Sequence, residues 1–252
     1  MGVIRQGPPK DLMKRLANEY TIRNFVETGT YKGSTTEWAS QIFDDVQTIE
    51  LSDQLYSQVT DEFGHKENIN FVKGKSQNEL TKITPNIDQS TVFWLDAHYS
   101  GEGTAGETYE CPLLEEIEAV GSSEQEKYIF IDDARLFCSP PPRPHDPEDW
   151  PTISEIVNKI NTIEKSYYII IVEDVIIAVP QHAKKTVQNY AQDAVTGNSE
   201  TAITEGIRRI QTGARQIIQG LIDAVVSEKM ISVLNKVGLY QTASKLYQKI
   251  ST

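Results

Sequence analysis

The sequence predicts an α/β fold: a doubly wound sheet of seven strands, five of them in parallel strand–helix units and two in a closing hairpin, followed by a helical extension. Two observations predict it. The first is the alternation, between about Asn24 and Pro180, of short β-branched runs with helical patterns. These runs are almost continuously apolar, as strands buried on both faces are. The second is the final pair, YYIIIV (167–172) and VIIAV (175–179), separated only by Glu173 and Asp174. Two residues allow a tight turn and leave no room for a crossover helix, so this pair is antiparallel.

The units run in order. FVET (25–28) leads through a glycine turn into STTEWASQIF, a helix with Ser and Thr available as caps, and VQTIEL (46–51) precedes SDQLYSQVTDEF, which Ser52 or Asp53 can cap. INFVKG (69–74) precedes SQNELTKI, and TVFWLDA (91–97) leads through a long polar loop to CPLLEEIEAV. YIFIDDA (128–134) leads through a proline-rich loop to SEIVNKINTI. The organisation expected is an N-terminal segment 1–23, a folded domain 24–180, a polar linker 181–199 and a helical extension 200–252. In the extension Ile203, Ile207, Ile210, Ala214, Ile217, Leu221 and Val225 form one apolar stripe at steps of mostly three and four. Two readings are open: the stripe packs within the chain, or it pairs two copies in a homodimer.

Composition narrows the function classes. The 252 residues suffice for a full core, and the formal net charge of −12 argues against nucleic-acid binding, which needs a basic surface. Cys111 and Cys138 have no spacing that suggests a zinc site or disulfide framework, so reduced thiols and a cytoplasmic location are expected. The N-terminus lacks the apolar core of a signal peptide, and Gln6 stands where a myristoylation signal wants Ser or Thr. Tyr167 to Val179 is too short and too interrupted to span a bilayer, so no membrane association is expected.

The first strand ends in VETGTYKGST (26–35). A glycine turn between strand and helix lets backbone approach a ligand, and helix amides beyond it favour a carboxylate. Tyr31 occupies the place of the second glycine in the dinucleotide fingerprint G-x-G-x-x-G, which speaks against NAD. Glu27 can accept from an ammonium group, as a methionine-bearing methyl donor would require. Glu50 ends the second strand 21 positions after Gly29, where an acid can accept ribose hydroxyls. The donor site thus comprises Glu27, Thr28, Gly29, Thr30, Tyr31, Gly33, Ser34 and Thr35, with Glu50, Leu51, Ser76 and Asp96 at neighbouring strand ends. Gly74 and Lys75 lie at the same sheet edge.

WLDAHYS (94–100) and FIDDAR (130–135) end the fourth and fifth strands, so Asp96, Asp132 and Asp133 converge at the sheet's switch point. Carboxylates packed together repel unless a cation neutralises them, and oxygen ligands favour Mg²⁺ or another hard divalent ion.

VETGTYKGST, the acid at Glu50, LDAH and IDDAR together resemble the macrocin O-methyltransferase group of class I S-adenosylmethionine-dependent enzymes, over residues of about 25 to 180. The closing hairpin matches the Rossmann-like layout of that class. The resemblance implies S-adenosylmethionine as donor, a saccharide or small polar hydroxyl compound as acceptor, and a Mg²⁺ site formed by Asp96, Asp132 and Asp133. The family's base is an Asp, and its position falls on His98, which can serve as base, as fourth ligand or as a hydrogen-bonded core residue. The loop between Tyr99 and Cys111 is a candidate acceptor lid whose Glu107 and Glu110 can face the metal, and the later run offers Arg135, Arg143, His145 and Trp150 as acceptor contacts. Cys138 is isolated from any base motif. Rival readings are a non-catalytic scaffold, an NAD-dependent oxidoreductase and, third, a nucleic-acid methylase.

Overall fold

The computed structural model describes residues 7–98, 110–163 and 166–194. Seven strands form one sheet in the order β3-β2-β1-β4-β5-β7-β6. They are β1 (Asn24–Thr28), β2 (Asp45–Glu50), β3 (Ile69–Lys73), β4 (Thr91–Leu95), β5 (Lys127–Ile131), β6 (Tyr167–Val172) and β7 (Val175–Pro180). The first five pair in parallel, and β7 runs antiparallel between β5 and β6. Glu173 and Asp174, both at positive φ, make the two-residue hairpin turn. This is the Rossmann-like architecture with a reversed seventh strand.

The helices are α1 (Lys10–Glu19), α2 (Ser34–Ala39), α3 (Asp53–Phe63), α4 (Ser76–Ile83), α5 (Leu113–Val120), α6 (Ala134–Cys138) and α7 (Ile153–Ile163). Alternate residues of the central strands feed two apolar layers. Val26, Ile49, Phe93, Leu95, Ile129, Ile131, Ile176 and Ala178 join Leu80 of α4, Ile117 of α5 and Ile156 and Ile160 of α7 in one core. Val92, Trp94, Tyr128, Phe130, Ile177 and Val179 are equally buried and have the opposite parity. On that side Tyr20, at the end of α1, meets Tyr128 with ring centroids 5.9 Å apart.

Local chemistry departs from the expectation at three places. The first is α2, which begins on Gly33 in a left-handed conformation, without a Ser or Thr side-chain cap, and stops at Ala39. By contrast Ser52 caps α3, its hydroxyl accepting from the Leu55 amide at 3.4 Å. Second, the N-terminal segment contains α1, whose Leu12, Met13, Leu16 and Ala17 are buried. Third, the segment read as a polar linker is helical over 184–194, with Val187 fully buried and Thr186 hydrogen-bonded to Glu19 of α1 at 2.8 Å. Its few apolar residues fall on one face, too sparsely to register as a period. The domain therefore begins before Asn24 and runs past Pro180. The chain divides into two compact units after Asp193. The expected helical extension, 200–252, and its dimerisation lie outside the described residues. Among the described residues no helix is long and apolar enough to cross a membrane.

Because Leu16 is fully buried, Leu16→Ala removes core volume and should cost about 2–5 kcal/mol of unfolding free energy. Urea denaturation followed by circular dichroism checks this; an unchanged midpoint would mean that α1 is not part of the cooperative domain.

Candidate active site

β1 and β4 lie side by side and in register, Thr28 opposite Leu95. Beyond them the chain leaves in different directions, one turning into α2, the other toward residues 96–98. Gly29 sits in this gap at φ +80°, and a Cβ there would stand 2.2 Å from the carbonyl oxygen of Asp96. Both the dihedral and the space exclude any side chain, so the glycine is required by the close approach of two strand ends. The Asp96 amide donates to the Thr28 carbonyl at 3.2 Å and to its hydroxyl at 3.1 Å, which ties the two ends together.

The turn is held from below by polar side chains. Glu27 is 1% exposed, and its Oε2 accepts from the hydroxyls of Thr36 and, at 2.8 Å, Thr48. Thr48 also bonds Thr30 at 2.6 Å. Burial pushes the Glu27 carboxyl up to about 7, with the two threonine hydroxyls pulling the other way. Glu27, expected to receive a donor ammonium, is a buried strut between α2 and β2 in this structure. Above it, Glu50 accepts the Tyr31 amide on Oε2 at 2.8 Å and the Ser52 amide on Oε1 at 2.7 Å. These amides fix the carboxylate's orientation and leave each oxygen a further acceptor site. Tyr31 and Leu51, half and one-third exposed respectively, flank it as the large apolar groups left open at this edge. Gly33, Ser34 and Thr35 lead into α2; Ser76 is buried as the first residue of α4.

A second cluster forms where β4 and β5 end. The Asp132 amide donates to Leu95 O at 3.1 Å, placing the Asp132–Asp133 pair beside Asp96. His98 Nε2 bonds Asp133 Oδ2 at 2.9 Å, and His98 Nδ1 lies 3.9 Å from Asp96 Oδ1. Burial works against a charged ring here, yet the hydrogen bond to Asp133 and the charges of Asp96, Asp133 and Asp132 outweigh it and raise the His98 pKa. Asp133, also opposed by burial, is lowered by the same bond and by Arg135. Asp96 and Asp132 are both raised by burial and by their carboxylate neighbours, Asp132 to about 6.

Asp96, Asp132 and Asp133 do come together, but as arranged they do not fit a Mg²⁺ ion. Asp133 spends one oxygen on His98 and the other on Arg135 Nη1, at 2.5 Å, while Asp132 Oδ1 accepts the Asp133 amide at 2.8 Å. Among the described residues no group of three His, Cys, Asp or Glu side chains is placed to hold a metal. Asp133 is paired instead with the His98 imidazole and with Arg135, the latter also paired with Asp174 from the hairpin turn.

The loop after β5 supplies a wall. Trp150 is buried, its ring centroid 5.4 Å from His98, 5.7 Å from Phe137 and 5.3 Å from His145. Glu110, a candidate for the metal, instead receives Trp150 Nε1 at 2.7 Å and His145 Nδ1 at 2.8 Å. Glu107 lies outside the described residues. Cys138 is exposed.

Sequence reasoning missed Thr36, Thr48, Asp174 and Glu116. Glu116 alone left a signal: in LLEEIEAV it sits three positions after Leu113 and four before Val120, on the face that α5 buries.

No protein-family model matches the chain, and no curated protein matches it either. Solved structures do. An O-methyltransferase from Bacillus cereus in complex with SAH has 15% identity and a TM-score of 0.47, over 69% of this chain and 82% of that one. The O-methyltransferase TomG from Streptomyces achromogenes, involved in tomaymycin synthesis and in complex with SAM, has 13% identity and a TM-score of 0.45, over 71% and 82%. The SAH-bound methyltransferase of Podospora anserina has 14% identity and a TM-score of 0.43, over 68% and 76%. The fold assignment here stands on strand order and direction.

The buried carboxyls give the site a stability signature. Glu27, Asp96, Glu116 and Asp132 are all raised by burial, and His98 is raised by its partners. Each keeps a proton in the native state at pH values where the unfolded chain has released it. Their contribution is complete below the unfolded values and is lost as pH rises through the folded ones. Asp133 and Glu110, lowered, act in the opposite sense, but only at acid pH. Urea unfolding should therefore show higher stability at about pH 5 than at about pH 8, with the difference reduced in His98→Gln; equal stability at the two values would contradict the assignment.

Proposed function

We propose that this chain is an S-adenosylmethionine-dependent O-methyltransferase in which His98 removes the acceptor's proton. The observation that carries the reading is the Gly29 turn, packed against the Asp96 backbone at the point where β1 and β4 part, with Glu50 oriented beside it. In open α/β sheets that gap is where ligands bind. Glu50's remaining acceptor sites suit the paired hydroxyls of a ribose, and Leu51 and Tyr31 offer apolar surface for a base. When bound, the donor supplies an electrophilic methyl group on a sulfonium.

The chain's residues hold and deprotonate the acceptor. A neutral His98, its Nε2–H given to Asp133, has Nδ1 as its basic nitrogen, and Asp133 both fixes this tautomer and stabilises the ring once charged. Trp150 walls one side of the ring and limits water. No step is routed through a metal ion, since Asp133 is already committed to His98 and Arg135.

A saccharide or small polar hydroxyl compound is the acceptor class we infer. Supporting it are the strand-end motifs VETGTYKGST, LDAH and IDDAR, which resemble those of methyltransferases acting on sugars.

Calorimetric titration of the full chain with S-adenosylmethionine, with and without EDTA, tests the reading. Micromolar binding in both conditions is expected, with Gly29→Ala abolishing it because the new Cβ collides with the Asp96 carbonyl. No donor binding to the wild-type chain would refute the proposal.

A further inference from the structure

The Glu110 carboxylate joins two segments that lie far apart along the chain. Glu110 is 9% exposed and stands just before α5, whereas His145 and Trp150 come from the proline-rich stretch between α6 and α7. Trp150 Nε1 donates to Glu110 Oε2 at 2.7 Å, and His145 Nδ1 lies 2.8 Å from the same oxygen. The Asp146 amide bonds this carboxylate too, and the Glu110 amide donates to Asp149 Oδ2 at 3.4 Å. Burial opposes the charge, but the bonds from Trp150 and His145 outweigh it and hold the carboxyl below its ordinary value. The indole has a single N–H to give, and at 6% exposure that group would be left buried and unsatisfied without Glu110.

The indole held in this way packs against His98. The two ring centroids are 5.4 Å apart with the planes at 62°, and Phe137 backs the indole at 5.7 Å. The hydrogen bond to Asp133, at 2.9 Å, sets where His98 Nε2 lies. A close-packed neighbour limits the imidazole's rotation about that bond, because the ring edge cannot sweep through occupied volume. His98 and Glu110 stand on either side of the segment 99–109, and one tryptophan meets both.

We propose that Glu110 is a positioning residue for His98, holding the Trp150 indole at the angle that keeps the imidazole turned toward Asp133. Its part in methyl transfer rests on His98 being the base; the coupling of Glu110 to the imidazole through Trp150 does not. Gln at position 110 can still accept the indole N–H through its amide oxygen, and Leu cannot. Phe at position 150 keeps an aromatic ring but has no N–H, so it disconnects Glu110 from the histidine.

NMR of the full chain with labelled histidine, over a pH series, tests the proposal; the His98 signals are assigned by their loss in His98→Gln. Circular dichroism melting shows which variants are folded. Glu110→Leu should shift the His98 ring-proton signals at every pH, as the indole moves off the ring, and Glu110→Gln should leave them close to wild type. In a Trp150→Phe background Glu110→Leu should move them no further, its route to the ring being gone. If Glu110→Leu does not fold, Glu110→Asp takes its place in the same cycle, its carboxylate one carbon short of the indole. His98 signals unmoved by the position-110 variant, or moved equally with and without the Trp150 indole, overturn the proposal. Failure of the wild type to bind S-adenosylmethionine would instead end the methyl-transfer reading and leave this coupling standing.

Discussion

β1 and β4 run in register as far as Thr28 and Leu95, and the chemistry of the molecule follows from how the two chains part there. Gly29 must turn within van der Waals contact of the Asp96 backbone, and the Asp96 amide must reach back to Thr28. That contact holds the mouth of the crevice at a fixed width. Glu50 is then oriented by the Tyr31 amide of the same turn, and Asp132 is hung from the last carbonyl of β4. A side chain at position 29 would separate the two ends and disorganise both halves of the site together.

The second constraint is electrostatic. With a formal charge of −12, the chain nevertheless buries Glu27, Glu50, Glu116 and Asp132, and places Asp96 and Asp133 alongside. Each is accommodated differently. Glu27 is paid in hydroxyl hydrogen bonds, Glu50 takes backbone amides, and Asp133 takes His98 and Arg135. Asp96, Asp132 and Glu116 are held toward their protonated forms by burial. Repulsion among carboxylates is thus relieved within the chain, by protons, by the Arg135 guanidinium and by the hydrogen bond from His98 to Asp133. An aspartate there would add to the repulsion, so the histidine changes how the whole cluster is balanced.

Much of this was legible beforehand. The strands were read to within three residues, because runs such as TVFWL and YIFI are long, apolar and bounded by polar segments. The hairpin followed from the two residues between β6 and β7, and the meeting of Asp96 with Asp132 and Asp133 from parallel strand order alone. Less accessible was α1, whose apolar face precedes the first strand where no crossover demands a helix. The helical start of the segment after Pro180 was hidden by its polarity. The partners of Asp133 were also hidden: Asp174 and Arg135 are 39 positions apart, and nothing local shows that the hairpin turn brings them together.

By itself, the sequence determined the strands and the reversal of the last one, the glycine at the turn and the residue types gathered at the carboxyl edge. These depend on local propensity, on periodicity and on the few ways parallel units can connect. Only the tertiary structure decided what each acid does: that Glu27 is a strut, that Glu110 holds Trp150 and His145, that Asp133 is committed to His98 and Arg135, and that Glu116 is buried beside Ser76 and Thr28. The reason is physical. A carboxyl's role is set by its burial and by partners brought from distant positions, and neither quantity has a period along the chain.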